Sequence, residues 1–505
     1  MEEKAHLSRL RRIEFITFVF FLLALPFSIR KVLFLYYPTS SLVFNEYTDI
    51  SLFLSDVLLG FLVLLHIINN KKQYLSISWW MRMFHVKHFL FLILLPTPFV
   101  IWSFLSILWS QNLYLAAFGA VKIAEGYILY IFLTLFVPRG TNEHSLLNVP
   151  RGTFYNKLWT ICSTWNKYQV IFPVFIILGV LEATAAILQF ANQSSLGLSF
   201  LKESQIAVHQ AGIAKIIISG YELIRPYGFF SHPNVLGAFL AITLTISLVY
   251  SHYKFKMFHV EHNKLLKTAI FIQFLAFILT FSKTAYIGLI ISLLFAYFKL
   301  FHVEQSPSNI KYVPRGTVLL LNIICSTWNK SIRKLRMFHV EQWLITILAV
   351  LGTIFLIYKI DLYYFITQPF NERAFLQESL NIIMARSPLR GVGISQSVIG
   401  MQQYYNQTLE PWQFQPIHNV YLIVLAELGV IGLTLFLFFF VSILYNMIIN
   451  VPCGTISSLN TVIIISCLLL ISFLMLFDHY FWDIQPTFLL FWVFTGLSAR
   501  SLLKD

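Results

Sequence analysis

Four short stretches of this 505-residue chain carry side chains able to move a proton and to hold a negative charge. The first is RPYGFFSHPN, from Arg225 to Asn234, which runs straight into an apolar segment. The second is LTFSK, ending in Ser282 and Lys283 between two apolar runs, where an ammonium is expensive unless it meets an anion or a water-filled cavity. The third holds Arg373, Arg386 and Arg390 ahead of Gly391-Val392-Gly393. The fourth, HNVYLIVLAELGVIGL, opens on His418 and Asn419. An unperturbed imidazole titrates near 6.5, so His418 has the chemistry of a general base at neutral pH. Fixed cations where water is scarce stabilise an anionic leaving group. Each has a plainer alternative: His418 as a helix cap, Arg225 as an anchor to lipid headgroups, Lys283 snorkelling to the interface. His232 reads as a turn residue. Glu410, Asp478 and Asp483 are candidate orienters of His418, and Glu125 and Glu182 are charges inside apolar runs.

The elements that must position these residues are set by composition. The chain is 58% hydrophobic and 11% charged, with 50 phenylalanines. A soluble domain carries roughly 25% charged residues, so the expected class is an all-α integral membrane protein, a single polytopic unit over 1–505. Apolar runs of roughly 17 to 25 residues span the hydrocarbon layer as helices. About twelve such spans are expected, near 13–29, 51–69, 89–109, 115–136, 169–190, 234–251, 266–282, 285–299, 343–360, 419–446, 461–477 and 485–499. The first apolar run has no small-residue cleavage site and reads as a retained helix.

Lysine and arginine stay on the cytoplasmic side. With the N-terminus inside, the inner segments 1–12, 70–88, 137–168, 252–267, 299–342, 447–460 and 500–505 hold 25 of the 36 basic residues. Arg30 and Lys31 run against this trend. The net charge of +14 is therefore mostly a topology signal, and a nucleic-acid partner is not expected. Two substantial outer loops remain: 191–233, and the larger 361–418 between the ninth and tenth helices. Three of the four chemistry-bearing stretches lie in or at the end of them, as functional loops often do, and LTFSK lies at the outer end of the seventh span.

The order of RPYGFFSHPN, LTFSK, the arginines before GVG, and HNVYLIVLAELGVIGL resembles the O-antigen ligase and O-antigen polymerase superfamily of bacterial envelope enzymes, most strongly over about 180–445. That resemblance implies a GT-C-like glycosyltransferase fold in the bacterial cytoplasmic membrane. It implies transfer of a glycan from an undecaprenyl diphosphate carrier to a lipid, glycan or protein hydroxyl on the outer face. By the same resemblance His418 is the catalytic residue, Arg225 and Lys283 bind the diphosphate with Arg373 completing the fork, and Arg386, Arg390 and Asn419 are accessories. Lys283 stands where the family usually has arginine; it neutralises a phosphate as a point charge but cannot bind it bidentately. No cofactor is implied and no metal is expected, since the stretches offer few hard oxygen ligands. A transporter or flippase of lipid-linked glycans is the alternative; it would show repeated sets of helices and midplane charges, which this sequence lacks.

Short peptides do recur. MFHVKH, MFHVEH, LFHVEQ and MFHVEQ start at Met83, Met257, Leu300 and Met337; VPRGT starts at Val137, Val149 and Val313, with VPCGT at Val451; CSTWNK starts at Cys162 and Cys325. One palindromic DNA word, TGTTCCACGTGGAACA, encodes all three peptides in its three frames. The His-x-x-His spacings at 85/88 and 259/262 and three of the four cysteines are thus by-products of that element, which argues against a zinc site or disulfide built from them. All ten copies fall in the expected cytoplasmic loops, where insertions are tolerated. Sequencing the gene tests this: each copy should show the palindrome in the frame its peptide requires, and unrelated codons would refute it.

Overall fold

Backbone amides buried in hydrocarbon must find partners within the protein, so long apolar runs fold as helices and any break in them needs a donor or acceptor from a neighbour. The computed structural model describes residues 2–36, 46–74, 89–135, 168–210, 212–257, 263–304, 376, 378–404, 414–449 and 457–502. It is mostly helical. The helices are α1 (Glu2–Ala24), α2 (Leu54–Tyr74), α3 (Phe89–Leu94), α4 (Thr97–Leu105), α5 (Leu113–Leu135), α6 (Tyr168–Asn192), α7 (Pro233–Met257), α8 (Asn263–Leu279), α9 (Lys283–Glu304), α10 (Ser397–Tyr404), α11 (Val420–Ile449), α12 (Ser457–Leu474), α13 (Tyr480–Asp483) and α14 (Gln485–Leu502). Every expected span except 343–360, which lies outside the described residues, coincides with helix.

Six described helical stretches are long and apolar enough to cross a membrane: Leu54–Lys71, Leu90–Trp109, Leu113–Leu135, Val170–Asn192, Pro233–Ser251 and Val420–Ile449. The protein is thus an all-α membrane protein in its main architecture. Two small antiparallel hairpins were not foreseen. Strand β1 (Arg30–Leu35) pairs with β2 (Asp49–Phe53), and β3 (Lys215–Ile218) with β4 (Tyr221–Ile224). Among the closest helix pairs are α1 with α2, α6 with α7 and α8, α9 with α12, and α14 with α5. The ends of α1, α6, α8 and α12 and the starts of α2, α5, α7, α9, α11 and α14 therefore meet at one end of the bundle. The chain leaves the other end at Tyr74, Leu135, Met257, Glu304 and Ile449, and every repeat peptide starts at or beyond one of these exits except the copy at 300–305, which begins in the last turns of α9; apart from Met257 and 300–304 the copies lie outside the described residues.

Two breaks show how the backbone rule is obeyed. The run 89–109 is interrupted at Pro96, which lacks an N–H and cannot continue the ladder. Tyrosines of α5 serve the freed carbonyls: Tyr130 Oη donates to Leu92 O at 2.5 Å and Tyr127 Oη to Ile93 O at 3.1 Å. Helix α11 breaks at Gly429, whose φ of 68° and ψ of −172° are outside any helix. There the 388–393 loop is docked against the gap. Val430 N donates to Pro388 O (2.9 Å) and Ile431 N to Leu389 O (3.2 Å), while Val392 N donates to Ala426 O (3.0 Å) and Gly393 N to Glu427 O (2.7 Å). Trp102 Nε1 caps Leu428 O at 2.9 Å. The approach is so close that a Cβ on Gly429 would overlap the Leu389 carbonyl, and one on Gly391 the Glu427 carbonyl. This explains the first glycine of the GVG stretch, which permits contact between two backbones; the second, Gly393, leaves room for the Ser110 side chain.

Gly429→Ala should therefore lower the thermal midpoint of the detergent-extracted protein, through left-handed strain of about 1–3 kcal/mol plus the overlap. Gly60→Ala, where a Cβ meets nothing within 4 Å, is the control and should leave the midpoint unchanged or slightly raised.

Candidate functional site

The RPYGFFSHPN stretch turns sharply into α7 because Gly228 takes φ 59° over Glu182 and Pro233 starts the helix. The turn is held by one ring nitrogen and one carboxylate. The His232 ring accepts the Asn234 amide on Nδ1 (3.1 Å), and Glu182 Oε2 accepts the Phe229 amide (3.0 Å). Asn234 is thereby freed to face the bundle end. Its Oδ1 accepts from Arg225 Nη2 (2.8 Å), and its Nδ2 donates to Asp478 Oδ2 (3.2 Å). Arg225 Nε donates to Thr280 O (2.8 Å), which fixes the half-buried guanidinium on the α8–α9 turn. Lys283, three residues on, is the first residue of α9. Burial pushes Arg225 down to about 10, so it remains a cation at neutral pH.

His418 stands just before α11, tied there because Asn419 donates to Leu476 O (2.9 Å) and caps Leu422 N (3.1 Å). Its Nδ1 lies 3.1 Å from Pro416 O, so Nδ1 carries a proton. The ring meets that of His479 edge to face at 5.0 Å. His479 is buried, its Nδ1 is 2.8 Å from Asp483 Oδ1, and its Nε2 is 3.7 Å from Asp478 Oδ1. Burial opposes its charge, but Asp483, Asp478 and Glu46 outweigh burial and push His479 up to about 9. Burial likewise works against the Asp478 anion, yet His418, His479 and His232 hold its carboxyl below the usual range. His232 is driven down to about 3, by burial first and by Arg225 next, and stays neutral. The result is a continuous path: Arg225, Asn234, Asp478, then the two histidines.

Beside this path opens a cavity of about 380 Å³. Its walls include Arg30, Glu46, Tyr47, Lys122, Lys202, Glu427, Trp482 and Asp483, but neither His418 nor Arg225. The two features adjoin at Pro416, Tyr47 and Asp483, and the rings of Tyr47 and His479 meet at 5.4 Å. Arg30 pairs with Asp49 (3.6 Å), and Lys122 with Asp56 (2.6 Å) and Glu125 (2.9 Å). Glu427, at the α11 break, accepts from Ser397 Oγ (2.8 Å) and Trp482 Nε1 (3.1 Å). Burial raises Glu46 and Asp49.

The structure thus brings His418 and Arg225 into one constellation, with Asn419 fixing the base and Lys283 on the adjoining turn. Arg390 is exposed and stacks over Trp109 at 5.7 Å, Arg386 is also exposed, and Arg373 and Glu410 lie outside the described residues. As site residues, His479, Asn234, Arg30 of β1 and Glu46 ahead of β2 escaped the sequence reading. His479 carried one available signal, its place between two acids suspected of orienting His418. Three groups, His418, Asp478 and His479, are spaced to hold a metal ion. No protein-family model matches the chain, and no curated protein matches it.

The His479 pairing has a pH signature. Its folded value lies above the ordinary value of about 6.5, so its stabilisation is complete below that pH and is lost as the pH rises through about 9. In a chelating buffer the thermal midpoint of the wild type should fall between pH 7 and 10 by more than that of His479→Gln. Parallel curves would contradict the pairing.

Proposed function

We propose that this chain is a glycosyltransferase of the O-antigen ligase or polymerase type, moving a glycan from undecaprenyl diphosphate to an acceptor hydroxyl. The carrying observation is the path from Arg225 through Asn234 and Asp478 to His418, which couples a cation for a leaving group to a base for an acceptor. In the proposed reaction, His418 Nε2 takes the acceptor proton as the acceptor oxygen attacks the anomeric carbon. The bond from that carbon to the diphosphate oxygen breaks, and the diphosphate leaves with the electron pair. Arg225, with Lys283, balances the charge that develops. Its Nη1 has no hydrogen bond among the described residues, and the adjacent Ser282 hydroxyl is likewise buried without a partner there. The starts of α7 and α9 add the positive ends of two helix dipoles.

The cavity complements this arrangement. Acidic groups accompany its cations, so it is a poor place for a diphosphate and a good one for a sugar, which Tyr47, Trp482 and Phe488 would stack against and Ser397, Gln485 and Glu427 would hydrogen-bond. With the N-terminus in the cytoplasm, this end of the bundle faces outward, where a flipped lipid-linked donor presents its glycan. The twelve-span, GT-C-like arrangement belongs to the same proposal.

The test is transfer from a polyprenyl diphosphate-linked glycan in membranes bearing the full chain. His418→Ala should lower turnover by about 10²–10⁴-fold, the usual weight of a general base. Arg225→Ala should lower it comparably, and Arg225→Lys should restore part of the loss. Full turnover in both alanine variants would sink the mechanism.

A further inference from the structure

His418, Asp478 and His479 each bring a ligand atom within 4.8 Å of the other two. Their outward-facing contacts have a specific form. Nδ1 of His479 is held by the Asp483 carboxylate at 2.8 Å, and Nδ1 of His418 by the Pro416 carbonyl at 3.1 Å. Imidazoles that ligate a metal typically give their second nitrogen to a carboxylate or a backbone carbonyl, which fixes the ring and its tautomer. Here one ring has each kind of support. The third group is supported too, since Asp478 Oδ2 accepts the Asn234 amide at 3.2 Å. His479 Nε2 and Asp478 Oδ1 stand 3.7 Å apart, a gap that two zinc bonds of about 2.0–2.2 Å span. Asp478 and His479 are buried, while His418 is half-buried and gives the site an open side.

We propose that His418, Asp478 and His479 form a site for one divalent transition metal of zinc's class, with a fourth position left for an exogenous ligand. Two nitrogens and one carboxylate oxygen suit zinc or cobalt and disfavour magnesium and calcium, which prefer all-oxygen shells. Binding would engage the His418 nitrogen that the transfer reaction needs as a base. If the function proposed above holds, an occupied site is a silenced enzyme, and zinc acts as an inhibitor that competes with the acceptor proton.

Binding is measured without substrate, so it stands or falls apart from the glycosyltransferase reading. Purified full-length protein in detergent is dialysed against zinc with excess magnesium, and bound metal is counted by mass spectrometry. The four histidines of the two His-x-x-His repeat peptides are a competing source of binding, so the reference protein carries His85→Gln, His88→Gln, His259→Gln and His262→Gln. It should retain one zinc per chain, and Asp478→Asn or His479→Gln added to it should weaken affinity at least tenfold. Because either variant might fail to fold, the reference protein is also loaded with cobalt, which should give the intense visible absorption of a four-coordinate ion. Zinc lost with the repeat histidines, zinc retained equally by folded Asp478→Asn and His479→Gln, or a weak six-coordinate cobalt spectrum would each overturn the site.

Discussion

The break in α11 is the interaction on which the rest of this end of the molecule depends. A helix interrupted within the bilayer leaves amides and carbonyls with no water to satisfy them, each worth several kcal/mol if orphaned. At Gly429 the 388–393 backbone meets that requirement with four hydrogen bonds. In doing so it anchors the loop that carries Arg390 and Ser395, and it turns the Glu427 carboxylate toward Ser397 and Trp482 at the cavity wall. The same contact fixes the direction in which the N-terminal half of α11 runs back to His418. Two glycines allow it, one on each side, and neither tolerates a Cβ. The cavity and the base are thus consequences of one backbone-to-backbone contact.

A second constraint is electrostatic. Charges sheltered from water are tolerated when paired, and removing one partner is strongly destabilising. Here the pairing is arranged in two groups. One joins Lys122, Asp56 and Glu125 with Gln485, and its Lys122 and Gln485 line the cavity. The other joins Arg225, Asn234, Asp478, His479 and Asp483. Asn234 matters to the second group because it reads cation and anion at once, accepting from Arg225 with its oxygen and donating to Asp478 with its nitrogen.

Much of the helical framework was legible in the sequence, because hydrocarbon thickness imposes a length and composition that a single run of residues displays. The 89–109 run was visible as apolar and read as one span, whereas the structure breaks it at Pro96. His418 and Arg225 were legible because one stands at a helix start and the other in the turn that leads into a helix, beside apolar runs where an ion needs a partner. His479 was not. It sits in FDHYFWD between two helices, where no periodicity marks a facing direction, and its role depends on Asp478 and Asp483 curling back around it. The β1–β2 hairpin was equally hidden. Arg30 and Lys31 looked like violations of the charge rule, yet Arg30 has a counterion in Asp49, across the hairpin and nineteen positions away. Charge counting sees a sum along the chain; a cross-strand pair is invisible to it.

The placement of the two histidines also bears on how a base can work beside so many charges. A cation next to His418 disfavours its protonation, and an anion favours it. Asp478 and the charged His479 oppose each other in this respect, and both are fixed within reach of the same ring. The proton on His479 is secured by Asp483 from the far side through Nδ1. The ring of His418 has a backbone carbonyl in that position, the Pro416 oxygen. Two chemically identical side chains five ångströms apart thus have different oxygens behind their rings. A carboxylate there makes His479 a fixed charge, and the reaction proposed above assigns the base to the ring that has none.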